Sequence, residues 1–191
     1  EYEEKIQFCI SEVDRLNHMV DQLLLLARFE NQKQNVKQET IYLNALVLDN
    51  LTRFSEKSES KKLKIKTQFS EDYYLISDNY LVSIIISNLI SNAIKYSNPN
   101  GEIAIELGKT NDEVTFSITD FGVGIAKNDL DKIFNSFYRS DVTNHAEIKG
   151  TGLGLSIVKR LCDLLKLEIA VESKLNQGTK FVLNFPLSKL K

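Results

Sequence analysis

Residues 88 to 96, Asn-Leu-Ile-Ser-Asn-Ala-Ile-Lys-Tyr, decide the fold of this chain. Asn88, Asn92 and Tyr96 are spaced by four and Lys95 follows Asn92 by three, so a helix places all four on one face. Apolar residues recur at helical spacing on the opposite face; they are Val82, Ile85, Ile86, Leu89 and Ala93. The pattern predicts a helix with one buried face and one polar face. Amide oxygens and an ammonium group on that face suit a hydrated Mg²⁺ ion and phosphate.

Two glycine-containing motifs follow, Asp-Phe-Gly-Val-Gly-Ile at 120–125 and Gly-Thr-Gly-Leu-Gly-Leu-Ser at 150–156. Of the 8 glycines, six lie in these motifs or at Gly178. The apolar run before Asp120 predicts a buried strand, and the glycines after it let backbone approach a flat ring. A carboxylate there can accept a hydrogen bond from an adenine amino group, worth roughly 1.5 to 3 kcal/mol. Residues 150–154 open a helical pattern that runs to about Leu165, and free N–H groups at a glycine-lined helix start bind anions.

Together these motifs resemble the ATP-binding domain shared by bacterial sensor histidine kinases, DNA gyrase, mismatch-repair ATPases and a heat-shock chaperone. Residues 134–139, Phe-Asn-Ser-Phe-Tyr-Arg, resemble the phenylalanine box of the histidine kinases, which the other branches lack. The resemblance covers nearly the whole chain. The expected fold is α+β, a two-layer sandwich in which helices cover one face of a mixed, mostly antiparallel sheet. An ATP lid at 140–149 and a long N-terminal helix complete it.

The resemblance implies transfer of the ATP γ-phosphoryl to a histidine on a dimerisation helix, and from there to an aspartate of a response-regulator receiver domain. It implies ATP and Mg²⁺ as ligands, with Asn92 and Asn88 at the metal and Asp120 at the adenine. Lys95 and Tyr96 meet phosphates, Tyr138 and Arg139 close over the ribose side, and Thr179 supports Asp120. The full predicted nucleotide-binding set is Asn88, Asn92, Lys95, Tyr96, Asp120, Gly122, Gly124, Ile125, Tyr138, Arg139, Gly150, Thr151, Gly152, Leu153, Gly154, Leu155 and Thr179.

Residues 1–31 carry an apolar heptad and resemble the second helix of the family's dimerisation and phosphotransfer hairpin. We expect a linker at 32–37, the ATP-binding domain at 38–191 and homodimerisation through the hairpin in the parent protein. The family's acceptor histidine lies on the first helix and is followed by Glu or Asp. His18 precedes Met19 and His145 precedes Ala146, so neither matches, and the sequence contains no catalytic acceptor. This chain is therefore expected to bind Mg-ATP without phosphorylating itself.

The remaining elements follow from periodicity and turn residues. We expect a helix from Asn44, as its N-cap, to Lys61, and Asp78 as the cap of the helix that carries Asn88. A short helix at 127–134 precedes the lid. The predicted strands are 38–43, 63–69, 73–77, 102–107, 113–119, 168–173 and 179–185, with Gly178 in the turn before the last one.

Composition is that of an ordinary globular domain, with 42% hydrophobic and 26% charged residues. A net charge of -2 leaves no electrostatic footprint for nucleic acid. The 2 cysteines are expected to be reduced, buried thiols. No apolar run reaches the roughly 18 residues of a transmembrane helix. We expect a soluble, cytoplasmic fragment without direct membrane contact, from a membrane-anchored parent.

Other interpretations of the motifs are weaker. Asp120-Phe121-Gly122 matches the magnesium tripeptide of eukaryotic-type kinases, but a His-Arg-Asp loop is absent from the sequence. Residues 150–156 have Leu155 where a Walker loop needs Lys, and they lack the third glycine of a dinucleotide fingerprint. A binding module of the same fold, degenerate or acting as an anti-sigma-type switch, remains the alternative. The complete phenylalanine box argues against degeneracy and the hairpin-like helix against the switch.

Overall fold

The computed structural model describes residues 2–30, 36–110, 112–140 and 150–187. A long N-terminal helix precedes an α+β unit. The helices are α1 (Tyr2–Glu30), α2 (Leu43–Thr52), α3 (Ser55–Ser60), α4 (Asn79–Tyr96) and α5 (Gly154–Leu165). The strands are β1 (Glu39–Tyr42), β2 (Lys64–Phe69), β3 (Tyr74–Ser77), β4 (Glu102–Lys109), β5 (Glu113–Asp120), β6 (Glu168–Lys174) and β7 (Gly178–Pro186).

The main sheet has five strands in the order β2-β4-β5-β7-β6. Only β2 and β4 pair in parallel; the other neighbours are antiparallel. β1 and β3 form a separate two-stranded antiparallel sheet. β2 and β6 are the edges of the main sheet, and on β2 the ammonium of Lys66 lies 2.8 Å from the Glu102 carboxylate of β4. The predicted mixed, mostly antiparallel sheet is confirmed.

The core lies between the main sheet and the helix layer. Inward side chains of β4 and β5, such as Ile105 and Phe116, are fully buried, as are Ile85, Ile86 and Leu89 of α4. Burying a side chain of this size contributes roughly 1.5 to 3 kcal/mol. α5 packs beside α4 and α1 packs on α5. The buried faces of α4 and α5 therefore fix both helices on the sheet. The polar face of α4 points away from this core and stays partly exposed.

Both ends of α4 are held by side chains. Asp78 Oδ1 accepts the N–H of Leu81 at 3.1 Å, and its Oδ2 accepts the N–H of Lys37 at the same distance. The predicted cap is confirmed. At the other end, the Lys61 ammonium donates to three main-chain carbonyls, of Ile94, Lys95 and Ser97, at 2.7 to 3.1 Å. These carbonyls have no intrahelical partner, so a cation there is favourable.

The apolar face of α1 is exposed within this chain. Ile6, Val13, Leu16 and Val20 are each more than half exposed. Cys9 lies on this face and is also exposed, so the prediction of two buried thiols is correct only for Cys162, whose pKa burial raises to about 12. The predicted boundary at 32–37 stays a prediction, since residues 31–35 lie outside the described residues.

The predicted helix from Asn44 to Lys61 is wrong in two ways. It is broken between α2 and α3, where Phe54 leaves the helical conformation and packs against the core. Asn44 is not the cap: its amide donates to the Glu71 carbonyl and its Oδ1 accepts the N–H of Tyr73, both at 2.9 Å. Those contacts join α2 to the segment before β3. The Asn44 amide therefore makes long-range contacts instead of forming the helix cap that its sequence position predicted.

Three smaller predictions are also corrected. The helix expected at 127–134 is a 3₁₀ turn, Lys127–Asp129, followed by further turns. α5 begins at Gly154 and not at Gly150, because Gly152 adopts a φ of +73° that no right-handed helix contains. Gly178 is the first residue of β7. Within the described residues, no helix combines the length and apolarity needed to span a bilayer.

Replacing Asp78 with alanine should lower the free energy of unfolding by about 1 to 2 kcal/mol, because the first turn of α4 loses its cap. Urea denaturation of the ligand-free chain measures the change. The matched control is Asp49→Ala, at an exposed position of α2, which should stay within about 0.5 kcal/mol of the parent. Equal losses in the two variants would contradict the capping role.

Candidate functional site

The polar face of α4 forms one wall of a cavity of about 540 Å³. Asn88, Asn92, Lys95 and Tyr96 are all half-buried and all line it, as their spacing on a helix predicts. The glycine segment at 150–154 lines the same cavity. Two motifs more than fifty residues apart in the sequence therefore meet across one space.

The glycine segment lies directly against the polar face of α4. A Cβ atom at Gly150 would lie 2.1 Å from the Lys95 Nζ, and one at Gly154 would lie 2.8 Å from the Asn88 Oδ1. A side chain at either position would displace these polar groups. The first turn of α5 starts at the same wall, and its N–H groups have no partner within the helix. An ammonium beside free N–H groups makes this end of the cavity an anion site.

The electrostatic surroundings of Lys95 also favour binding of an anion. Burial, followed by repulsion from Arg139 and Lys61, lowers its pKa from 10.5 to about 8. Its Nζ lies 4.9 Å from the centroid of the Tyr96 ring, and no carboxylate in the described part of the chain forms a salt bridge with it. A bound anion would supply the missing counter-charge and favour the ammonium form.

A smaller cavity of about 120 Å³ adjoins the first and contains Asp120. This carboxyl is 4% exposed, and its Oδ1 accepts the N–H of Gly122 at 3.0 Å. Burial raises its pKa from 3.8 to about 6, against the opposing effect of hydrogen bonds from the N–H groups of Gly122 and Thr179. No cation in the described residues pairs with it. A buried carboxylate of this kind suits a neutral N–H donor on a flat ring.

Two glycines and one serine shape the floor beneath Asp120. Gly178 has a φ of +106°, and a Cβ on it would lie 2.0 Å from the Asp120 carbonyl oxygen. Gly124 has a φ of +65°, and a Cβ on it would lie 2.0 Å from the Lys174 carbonyl oxygen. Ser173 Oγ accepts the N–H of Ile125 at 2.8 Å and donates to the Gly178 carbonyl at 2.7 Å. The end of β5 and the β6–β7 turn are therefore joined main chain to main chain.

Tyr138 and Arg139 line both cavities and mark the junction between them. The Tyr138 hydroxyl donates to the Asp129 carboxylate at 2.7 Å, and the Ser140 hydroxyl donates to the same carboxylate. Asp129 therefore holds this segment beside the site, and the two hydroxyls lower its pKa. Residues 141–149, which contain the rest of the predicted lid and His145, lie outside the described residues, as does the His18 side chain.

The family model described as histidine kinase-, DNA gyrase B- and HSP90-like ATPase matches residues 77–189, which include both cavities' main walls. The chain belongs to this family. Sensor protein RprX of Bacteroides fragilis is 34% identical over 181 residues, which are 93% of this chain and 35% of RprX. The predicted family is confirmed, and its sensor-kinase branch agrees with the phenylalanine box at 134–139.

Solved structures share the fold of this ATPase domain. Full-length ShkA in complex with AMPPNP is 25% identical with a TM-score of 0.79, over 90% of this chain and 35% of ShkA. Histidine kinase ThkA in complex with the response regulator protein TrrA is 24% identical with a TM-score of 0.75, over 95% of this chain and 50% of that chain. The chain spans between 35% and 53% of the length of the first curated relatives it matches.

The structure brings most of the predicted residues to the two cavities. The larger is lined by Asn88, Asn92, Lys95, Tyr96, Tyr138, Arg139, Gly150, Thr151, Gly152, Gly154 and Leu155, and the smaller by Asn92, Tyr96, Asp120, Gly124, Ile125, Tyr138, Arg139, Leu155 and Thr179. Gly122 and Leu153 lie off these walls. Gly122 acts through its N–H on Asp120, and Leu153 is fully buried beneath the glycine segment.

Sequence reasoning missed several residues around the two cavities, among them Ser173, Ile133 and Gln22. Ser173 lies opposite Thr179 in the β6–β7 pairing, and its hydroxyl lies 2.9 Å from the Thr179 hydroxyl. Ile133 lines both cavities, and Gln22 of α1 lines the larger one. The contact of Ser173 with Thr179 depends on the register of β6 against β7, which the sequence alone does not give. Gln22 carried a weak signal, as a polar residue inside an otherwise leucine-rich helical run.

Replacing Asp120 with asparagine should weaken ADP binding about tenfold or more, since a charged acceptor is lost. Parent affinity should also fall as the pH drops through about 6, because protonation of the Asp120 carboxyl removes the same acceptor. Calorimetric titration of both proteins between pH 5 and 7.5 measures this. Protonation of the ADP phosphates changes the affinity of the parent and of Asp120→Asn by the same factor. The ratio of the parent's ADP affinity to that of the variant should therefore fall towards low pH.

The control for this experiment is Asp112→Asn, an exposed position beyond the cavities. It should bind ADP like the parent at every pH. Equal ADP affinities of the parent and Asp120→Asn at every pH would show that Asp120 does not meet the base.

Proposed function

We propose that this chain is the ATP-binding catalytic part of a protein-histidine kinase of two-component signal transduction. The observation that carries the proposal is the continuity of the two cavities. A buried, unpaired carboxylate lies at one end, and an unpaired ammonium beside glycine N–H groups lies at the other. One ligand with a neutral aromatic amine and a polyanionic tail satisfies both ends, and ATP is such a ligand.

At the adenine end, Asp120 accepts a hydrogen bond from the amino group of the base. The N–H groups of Gly122 and Thr179 orient its carboxylate. Ile125 and Leu155 supply apolar contacts from two walls of the smaller cavity. The resulting site rejects bases that present an acceptor at this position, because two acceptors would then face each other in a dry pocket.

At the phosphate end, Lys95 neutralises charge and the N–H groups of residues 150–154 cradle oxygen atoms. Tyr96 stands next to Lys95, while Tyr138 and Arg139 close the junction above the ribose. Phosphoryl transfer depends mostly on positioning and charge neutralisation. Burial lowers the pKa of Lys95 to about 8, and a phosphate beside it would favour the charged ammonium form.

The residues of α4 fit Mg²⁺. The Asn88 amide nitrogen donates to the Ile84 carbonyl at 2.9 Å, which fixes the amide and leaves Oδ1 turned towards Gly154. The Asn92 amide lines both cavities. Amide oxygens are hard donors that suit Mg²⁺ together with water and phosphate oxygens. Asn92 and Asn88 would hold the ion, which when bound neutralises phosphate charge.

The phosphoryl acceptor is a histidine of a hairpin helix outside this chain. Its imidazole nitrogen forms a bond to the γ-phosphorus, the bond from that phosphorus to the ADP oxygen breaks, and the imidazole loses a proton. The phosphoryl group then passes to an aspartate of a response-regulator receiver domain. The ThkA structure contains such a regulator, and the fold shared with it supports this partner.

The exposed apolar face of α1 supports hairpin formation and homodimerisation of the parent protein. Ile6, Val13, Leu16 and Val20 recur on this face at heptad positions. The parent is proposed to be membrane-anchored, with this part in the cytoplasm where ATP is available.

Nucleotide binding should require Mg²⁺ and Asn92. Titration with AMPPNP should show at least tenfold tighter binding with Mg²⁺ than with EDTA, and Asn92→Ala should abolish that difference because the metal loses an oxygen ligand. The control Asn184→Ala lies on β7, away from the cavity linings, and should keep the metal dependence. Metal dependence that survives in Asn92→Ala would remove this residue from the metal site.

Phosphoryl transfer is tested with an added acceptor. With γ-labelled ATP and Mg²⁺ the chain alone should stay unlabelled, whereas a hairpin made of a histidine-bearing first helix joined to residues 1–31 should become labelled. The same hairpin with alanine at the acceptor position is the control. Labelling of the chain at His18, or tight ATP binding without any transfer, would contradict the proposed kinase and favour a nucleotide-binding module.

A further inference from the structure

Gln22 is the point at which α1 touches the nucleotide site. Of the α1 side chains that the structure describes, Gln22 alone is buried, with 8% of its surface exposed. Its neighbours Leu23 and Leu24 are exposed. A buried polar residue on a helix with exposed leucines reverses the usual pattern, so this amide has a specific contact that replaces water.

One half of the Gln22 amide is satisfied. Its Oε1 accepts a hydrogen bond from the Thr151 hydroxyl at 2.9 Å, and that hydroxyl oxygen accepts the N–H of Leu153 at 3.2 Å. The amide oxygen of Gln22 therefore holds α1 to the glycine segment before α5 through a hydrogen bond. This contact crosses 129 positions of sequence.

The amide nitrogen of Gln22 makes no hydrogen bond to any of the described residues. It is not sealed off either, because the only enclosed side-chain polar atom without a partner in the described part of the chain is Asn184 Oδ1. Gln22 lines the larger cavity together with Lys95, Thr151 and Asn88. An amide donor left without a protein acceptor beside an anion site is poised for a ligand oxygen.

The position of Gln22 selects which oxygen that is. Gln22 and Asn88 line both the larger cavity and a second cleft of about 810 Å³ between α1 and α4, and neither lines the Asp120 cavity. Gln22 therefore lies on a part of the larger cavity that the Asp120 cavity does not share. With adenine at Asp120, the phosphates extend into the larger cavity, towards the wall that carries Gln22.

We propose that Gln22 donates a hydrogen bond from Nε2 to the terminal phosphoryl group of ATP, so that α1 supplies a residue that distinguishes ATP from ADP. This inference rests on the proposed function, because it requires ATP to bind with its base at Asp120. Thr151 is the positioning residue that holds the Gln22 amide through its oxygen. The nucleotide site is thus incomplete without the N-terminal helix.

The test compares AMPPNP and ADP binding, both with Mg²⁺, for the whole chain and two Gln22 variants. Gln22→Glu keeps an oxygen for the Thr151 hydroxyl but replaces the donor with an anion. Gln22→Met removes the amide without adding charge. Both should lose about tenfold or more in AMPPNP affinity, since a hydrogen bond to a charged group is lost. Gln22→Met adds no charge and should bind ADP within about twofold of the parent.

The matched control is Thr151→Val. It removes the hydrogen bond to the Gln22 Oε1 but leaves the Gln22 Nε2 donor in place. Its effect on AMPPNP should be smaller than that of Gln22→Met. Equal losses for ADP and AMPPNP in Gln22→Met, or no loss for either nucleotide, would overturn the role of Gln22. Failure of the parent chain to bind ADP would instead overturn the proposed function. Circular dichroism checks that each variant keeps the parent helix content.

Discussion

No side chain beyond hydrogen fits at Gly124 or Gly178, where a carbonyl oxygen lies 2.0 Å from the Cβ position, and the site depends on this constraint. Main chain meets main chain at both points, so the end of β5, the start of β7 and the β6–β7 turn form one rigid floor. Ser173 completes it with hydrogen bonds to Ile125 and Gly178. Asp120 lies at the end of this floor with 4% of its surface exposed. The position of the Asp120 carboxyl is therefore set by backbone packing.

Burial disfavours the charged forms of two groups that line the cavities. It raises the pKa of Asp120 to about 6 and lowers that of Lys95 to about 8. Neither group forms a salt bridge within the described residues. The buried apolar face of α4 holds the helix on the sheet, and its polar face lines the cavity. Shifted pKa values in groups that line adjoining cavities are typical of functional sites.

Sequence patterns predicted the parts of the fold that depend on local rules. The spacing from Val82 to Tyr96 predicted α4 and its two faces, and Asp78 was predicted as its cap. The break at Phe54 was missed because it depends on packing against the core, and Asn44 was misassigned because its partners lie in a distant segment. The glycine motifs predicted the site, while Ser173 required strand register. Cys9 follows the same heptad pattern as a core residue, and only the structure shows that face exposed.

The edges of the main sheet have a consequence for how copies of this protein meet. β2 presents Lys64 and Lys66 at one edge, and β6 presents Glu168 and Glu172 at the other, all exposed. Like charges along an unpaired strand oppose docking of the same edge on a second molecule, which protects against strand-to-strand aggregation. Among the described residues, the exposed apolar face of α1 has no comparable row of like charges. The charged sheet edges therefore oppose self-association through the sheet, whereas the apolar face of α1 has no such charge to oppose it.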